Sequence, residues 1–190
     1  VKARLESLVA VCALLVATIA AAAAAYQTYV INEQFSATVW PYLSFDSSND
    51  ASGSSFEFGL RNVGLGPAIV RSTIVSVNGQ PMGPGTTGNA IHTAVEPALE
   101  SARAAERRRH QHGLVHATTS SLGPGDVVPA GSSMLLLRVA GPDIYPKVMA
   151  MSPHVDISIC YCSVLGRCWT RRLKDPVPEP RDVRYCPLPK

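Results

Sequence analysis

Two kinds of side chain in this 190-residue chain have the type and spacing to do chemistry: thiols and imidazoles. Cys160, Cys162, Cys168 and Cys186 fall close together near the carboxyl end, while Cys12 lies apart in an apolar run. Thiols so placed can crosslink or, as thiolates, hold a soft metal ion or exchange electrons. Cys-x-Cys at 160–162 is a known thiolate spacing, but no histidine adjoins it and no Cys-x-x-Cys occurs. Structural crosslinks are therefore the stronger reading. In Cys162-Ser-Val-Leu-Gly-Arg-Cys168 a loop of Val164, Leu165 and Gly166 would use Gly166 at the left-handed position of a bulged hairpin. Ser163 then pairs with Arg167, and Cys162 faces Cys168 across the ladder. Cys160, two residues earlier on the same face, is left to take Cys186 and pin the tail to the sheet. Both bonds are expected in an oxidising compartment.

The imidazoles make a weaker case. His110, His112 and His116 are near enough in sequence to suggest a metal cluster, but Gly113 should end a helix between them and only Glu106 is a nearby carboxylate. A surface tract beside Arg107, Arg108 and Arg109 is the simpler reading, and His92 and His154 stand alone. Nucleophile signatures are missing: there is no Gly-x-Ser-x-Gly. Asn62-Val-Gly64-Leu-Gly66-Pro67-Ala68 is no phosphate loop, since Pro67 removes a donor and no Gly-Lys-Ser/Thr follows. Asn62, Gly64, Gly66 and Pro67 read instead as a structural turn whose glycines supply positive φ. The three arginines suit a helix end facing water, with contact to anionic lipid or an acidic partner as the alternative. No catalytic residue, metal or cofactor is expected.

The elements that must position these groups begin with a greasy amino terminus. From Leu8 to Ile31 there is no charge, and these 24 residues would span about 36 Å as a helix, enough for a bilayer core of about 30 Å. Lys2 and Arg4 precede the run and Glu33 follows it, so residues 1–7 should be a cytoplasmic tail, with the rest of the chain on the far side. A cleavable signal peptide, cut near Ala21–Ala25, is the competing reading, and it exports the same domain. Val1 at the first position reads either as a GTG start or as a shortened chain.

After Phe35 the period becomes two. Strands are predicted at Ser36–Phe45, around Phe56–Leu60, at Ile69–Val77 ending in the hairpin signal Asn78-Gly79, and at Met134–Val139, Val155–Ser163 and Arg167–Leu173. Asp46–Ser55 is predicted as a loop and Asp126–Gly131 as a turn. An insertion over 81–121 should hold a helix near 96–112, with Pro97 in its first turn and a thin apolar face of Ala98, Leu99, Ala102 and Ala105 that packs lightly. Residues 176–190 read as a proline-rich extended tail. The fold class is mainly β: an immunoglobulin-like β-sandwich over 35–175 with a helical insertion, preceded by one amino-terminal transmembrane helix. A small barrel is the alternative.

Asn62-Val-Gly-Leu-Gly-Pro-Ala68, preceded by Trp40-Pro41-Tyr42, together with Tyr161-Cys-Ser-Val-Leu-Gly-Arg-Cys-Trp169, resembles a group of uncharacterised bacterial single-pass membrane proteins with an extracytoplasmic β-domain. The resemblance covers most of residues 8–173 outside the helical insertion. It implies topology and fold, and carries no activity.

Composition narrows the function classes. With 46% hydrophobic and 16% charged residues the chain is not disordered, and a net charge of +3 argues against a nucleic-acid binder. The expected function is a non-catalytic binding or structural module of the bacterial envelope. Its partners would be the bilayer, through residues 8–31, and an envelope protein not identified by the sequence. The alternatives are a secreted metal-dependent hydrolase using the histidine tract, or a membrane sensor or effector that oligomerises through its alanine-rich helix.

Overall fold

A computed structural model of the protein describes residues 2–82, 86–109, 114–176 and 179–186. The chain divides into two units, residues 1–38 and 39–190.

The first unit is one helix, α1 (Lys2–Thr38). It contains neither glycine nor proline and shows no polar stripe. Its stretch Val9–Thr38 is long and apolar enough to cross a membrane or to act as a signal sequence. The hydroxyls within it are satisfied locally: Thr18 Oγ1 donates to the Leu15 carbonyl at 2.8 Å and Thr28 Oγ1 to that of Ala24 at 2.9 Å. Such back-bonding lets a hydroxyl sit in an apolar helix at little cost.

α1 corrects the prediction of a strand from Ser36. The segment Asn32–Thr38 contains Glu33, Gln34 and Ala37, all compatible with helix, and Ser36 Oγ donates back to the Asn32 carbonyl at 2.9 Å. The helix stops only where Pro41 forces the residue before it into extended backbone. The first strand, β1, therefore runs over Leu43–Asn49, into the stretch predicted as a loop. Its polar half is held by pairing with β2 (Ser55–Asn62), Leu43 opposite Asn62 through Asn49 opposite Phe56. An edge strand exposed on one face can be polar and still form its ladder.

The second unit is β-rich, with two antiparallel sheets. β3 (Ala68–Val77) turns through Asn78-Gly79 into the short β4 (Gln80–Pro81). After the helix α2 (Thr87–Arg108) come β5 (His116–Thr119), β6 (Val127–Val128) and β7 (Ser133–Ala140). The helix α3 (Ile144–Met151) then leads to β8 (Val155–Cys162), β9 (Cys168–Arg172) and β10 (Arg181–Val183). One sheet has the order β1-β2-β7-β5; the other runs β10-β9-β8-β3-β4, with β6 also paired to β3. Leu43, Leu60 and Val139 from the first sheet and Val70, Ile159 and Tyr161 from the second are fully buried in one apolar core.

α2 departs from its predicted form in both length and role. Thr86 caps it by accepting from the Asn89 N–H at 3.3 Å, so the helix starts nine residues before 96 and Pro97 lies inside it. Proline is tolerated there because it is exposed and so is Thr93, whose carbonyl it leaves unbonded and open to water. Ile91, Ala94, Val95, Ala98, Leu99 and Ala102 form a continuous buried stripe at helical spacing, so α2 is a core element, not a lightly packed surface helix. β5 lies within the predicted insertion and pairs with β7, and β10 lies within the predicted tail and pairs with β9. Both are too short to leave an alternation that the sequence alone would betray.

Candidate functional site

The loop after β2 is organised by one buried carboxamide. Asn62 is fully buried. Its Oδ1 accepts from the N–H of Tyr42 at 3.2 Å and of Gly64 at 3.0 Å. Its Nδ2 donates to the carbonyls of Gly66 at 2.8 Å and Val128 at 2.9 Å. A carboxamide has two acceptor sites and two donors, so its capacity is filled by backbone. Asn62 thus ties together the lead-in to β1, its own loop and β6, with nothing left over for a ligand.

The glycines of this loop are needed for a different reason from the one predicted. Neither Gly64 nor Gly66 has positive φ. A Cβ on Gly64 would lie 2.3 Å from the Tyr42 nitrogen, and one on Gly66 would lie 2.1 Å from the Val39 carbonyl oxygen. The segment Val39–Tyr42 crosses directly over them, and only a residue without a side chain allows that approach. Backbone bonds fix the crossing: Val63 N–H donates to the Tyr42 carbonyl at 2.8 Å and Leu65 N–H to that of Trp40 at 2.9 Å. Between the held positions Val63 and Leu65 point outward, 54% and 72% exposed, and Trp40 is exposed as well. The loop and the segment that crosses it present three exposed apolar side chains from hydrogen-bonded backbone.

On the other sheet, Cys162 stands opposite Cys168 in the β8–β9 hairpin, with Tyr161 opposite Trp169. Gly166 has φ of 79° and closes the turn by donating to the Ser163 carbonyl at 3.0 Å. Cys162 is bonded to Cys168 and Cys160 to Cys186, the pairs that register and face assign. The sulfurs of Cys162, Cys168 and Cys186 all lie within 4.8 Å of one another, close enough to share a metal ion as thiolates. Each is instead bound in an S–S bond, which leaves no thiolate. Beside the bonds, Arg167 lies over the Trp169 ring at 5.9 Å and pairs with Asp182 of β10 at 3.5 Å, so residues 181–186 are held by ladder, charge and crosslink together.

Sequence reasoning gave no signal for two buried polar groups. The Tyr161 hydroxyl accepts from the Leu43 N–H at 3.2 Å, bridging the two sheets through the core, and burial pushes its phenol well above the ordinary range. Glu106, buried near the end of α2, accepts from the N–H groups of Leu114 and Val115 at 2.8 and 2.9 Å and so caps the chain leading into β5. Glu106 could have been found only by noticing a carboxylate on the apolar stripe of α2.

Arg107, Arg108 and Arg109 are exposed at the end of α2, and Arg109 pairs with Asp143 at 3.5 Å. His116 is exposed on β5, while His110, His112 and Gly113 lie outside the described residues. His154 is not isolated: its Nδ1 lies 2.7 Å from Asn78 Oδ1 at the β3–β4 turn. Compared with known protein families, curated proteins and solved structures, the chain has no match.

Proposed function

We propose that the chain is a membrane-anchored, non-catalytic binding or structural module of a bacterial envelope. In this reading α1 crosses the inner membrane with Lys2 and Arg4 on the cytoplasmic side, and the β-rich unit lies in the periplasm or outside the cell. The observation that carries the reading is the pairing of an amino-terminal apolar helix with a downstream unit closed by two disulfides. Disulfides persist in oxidising compartments and are rare in the cytosol. Two antiparallel sheets around one core, with a helix between strands, support classing the unit as an immunoglobulin-like sandwich. The partner would dock on the rim of Trp40, Val63 and Leu65, whose backbone is already hydrogen-bonded, so that little order is lost on binding.

A topology assay tests this. A carboxyl-terminal fusion to a phosphatase that folds only outside the cytosol should be active, and a fluorescent protein that folds only inside should stay dark. Native protein should show one free thiol per chain, Cys12, in the anchored form. A cytosolic carboxyl end, or four further free thiols, would falsify the reading.

A further inference from the structure

The apolar core is open at one end. Between the two sheets, where α2 and α3 meet them, lies a crevice of about 160 Å³. Its floor is core side chain: Ile91 and Val95 of α2, Leu137 of β7 and Ile157 of β8, none more than 5% exposed. Its more exposed lining is Met149, 42% exposed, with Met151 half-buried and Ser47 and Ser152 exposed, and these make its mouth. Among the described residues, no Asp, Glu, Lys, Arg or His lines it.

Three physical facts limit what can enter. An ionised group would lose its hydration with no counter-charge to replace it. Ordered water needs two to four polar partners, and among the described lining only Ser47 and Ser152 have polar side chains, so a nonpolar guest of about the size of benzene, which an apolar cavity of about 150 Å³ accepts, displaces little bound water. Methionine is flexible and polarisable, so a mouth flanked by two of them can adapt to a guest where a rigid wall could not. We infer that this crevice is a binding site for an uncharged hydrocarbon group of about six carbons, a single ring or the end of an aliphatic chain. A hydroxyl or ester on that group would meet Ser47 or Ser152 at the rim. The inference goes beyond the proposed function and holds on whichever side of a membrane the unit lies.

The four methionines of the chain make the test direct, because Met149 and Met151 flank the crevice while Met82 and Met134 do not line it. Full-length protein in bilayer nanodiscs, carrying ¹³C-methyl methionine, would be titrated with benzene in one arm and hexan-1-ol in the other. The expected result is a saturable shift of the Met149 and Met151 methyl signals with Met82 and Met134 unmoved. The arm that saturates at the lower concentration distinguishes ring from chain. Val95→Phe, which fills the floor, should abolish the shift. If that variant loses the Met82 and Met134 signals through misfolding, Val155→Phe at the more accessible mouth replaces it. No saturation in either arm, equal shifts of all four signals, or an undiminished shift in the filled variant would overturn the assignment.

Discussion

Asn62 does by hydrogen bonding what a crosslink does by covalency. Its carboxamide holds four backbone groups drawn from three separate stretches of chain, the Gly66 and Val128 carbonyls buried and the Tyr42 and Gly64 N–H groups partly so. Leaving a buried donor or acceptor unpaired costs about 1–3 kcal/mol. Asn62→Ala should therefore lower stability by about 3 kcal/mol or more, read as a fall in denaturant midpoint with unchanged slope. Asn62→Asp should do little better, since a carboxylate cannot donate to the Gly66 and Val128 carbonyls. A loss under about 1 kcal/mol would mean that water reaches the loop and replaces the side chain. The residues of this motif stand out in the sequence by type, but the reason for them does not. The glycines look like turn glycines, and only the crossing of Val39–Tyr42 shows that they make room for a neighbouring strand of chain.

At the scale of the element, the contrast lies between α1 and α2. The apolar run of α1 declares itself because no core residue is needed to explain it, and the helix outruns the predicted 8–31 at both ends, starting at Lys2 and continuing to Thr38, where Pro41 is close enough to stop it. α2 is harder to read because three of the six residues in its buried apolar stripe are alanine, which contributes little hydrophobic signal per residue yet lets a helix sit close to a sheet. Leu99 is fully buried in that face. Leu99→Ala should cost about 3 kcal/mol in thermal or denaturant unfolding, where a lightly packed surface helix would lose well under about 1 kcal/mol. The Asp50 turn between β1 and β2 shows the opposite case, a polar stretch that is ordered. Hydrogen bonds from the Ser54 and Ser52 side chains hold the Asp50 carboxyl at about 2, below the usual carboxylate range. The turn stays intact in neutral solution, and the contribution of its carboxylate fades only as pH falls from about 4 towards that value.

For the whole molecule the two disulfides close loops of very different length, and the longer one ties Cys186, beyond β10, to β8. Cys160–Cys186 spans 26 residues and Cys162–Cys168 only six. Chain entropy makes the longer closure worth about 3.5 kcal/mol and the shorter about 2.2 kcal/mol. Replacing both cysteines of each pair by serine should lower the unfolding free energy in that order, and the first pair should also free residues 179–186 to rapid amide exchange. Equal losses would mean that β10 and the Arg167–Asp182 pair hold the tail without the crosslink. Local chemistry along the chain was enough to settle the long apolar helix, the Asn78-Gly79 turn and the face and register of the thiol hairpin, because each depends on residues near one another in sequence. The burial of α2, the joining of the sheets through Tyr161, the service of Glu106 as a cap and the open end of the core depend on contacts between distant segments. Their energies come from shared exclusion of water, and no single segment carries that information.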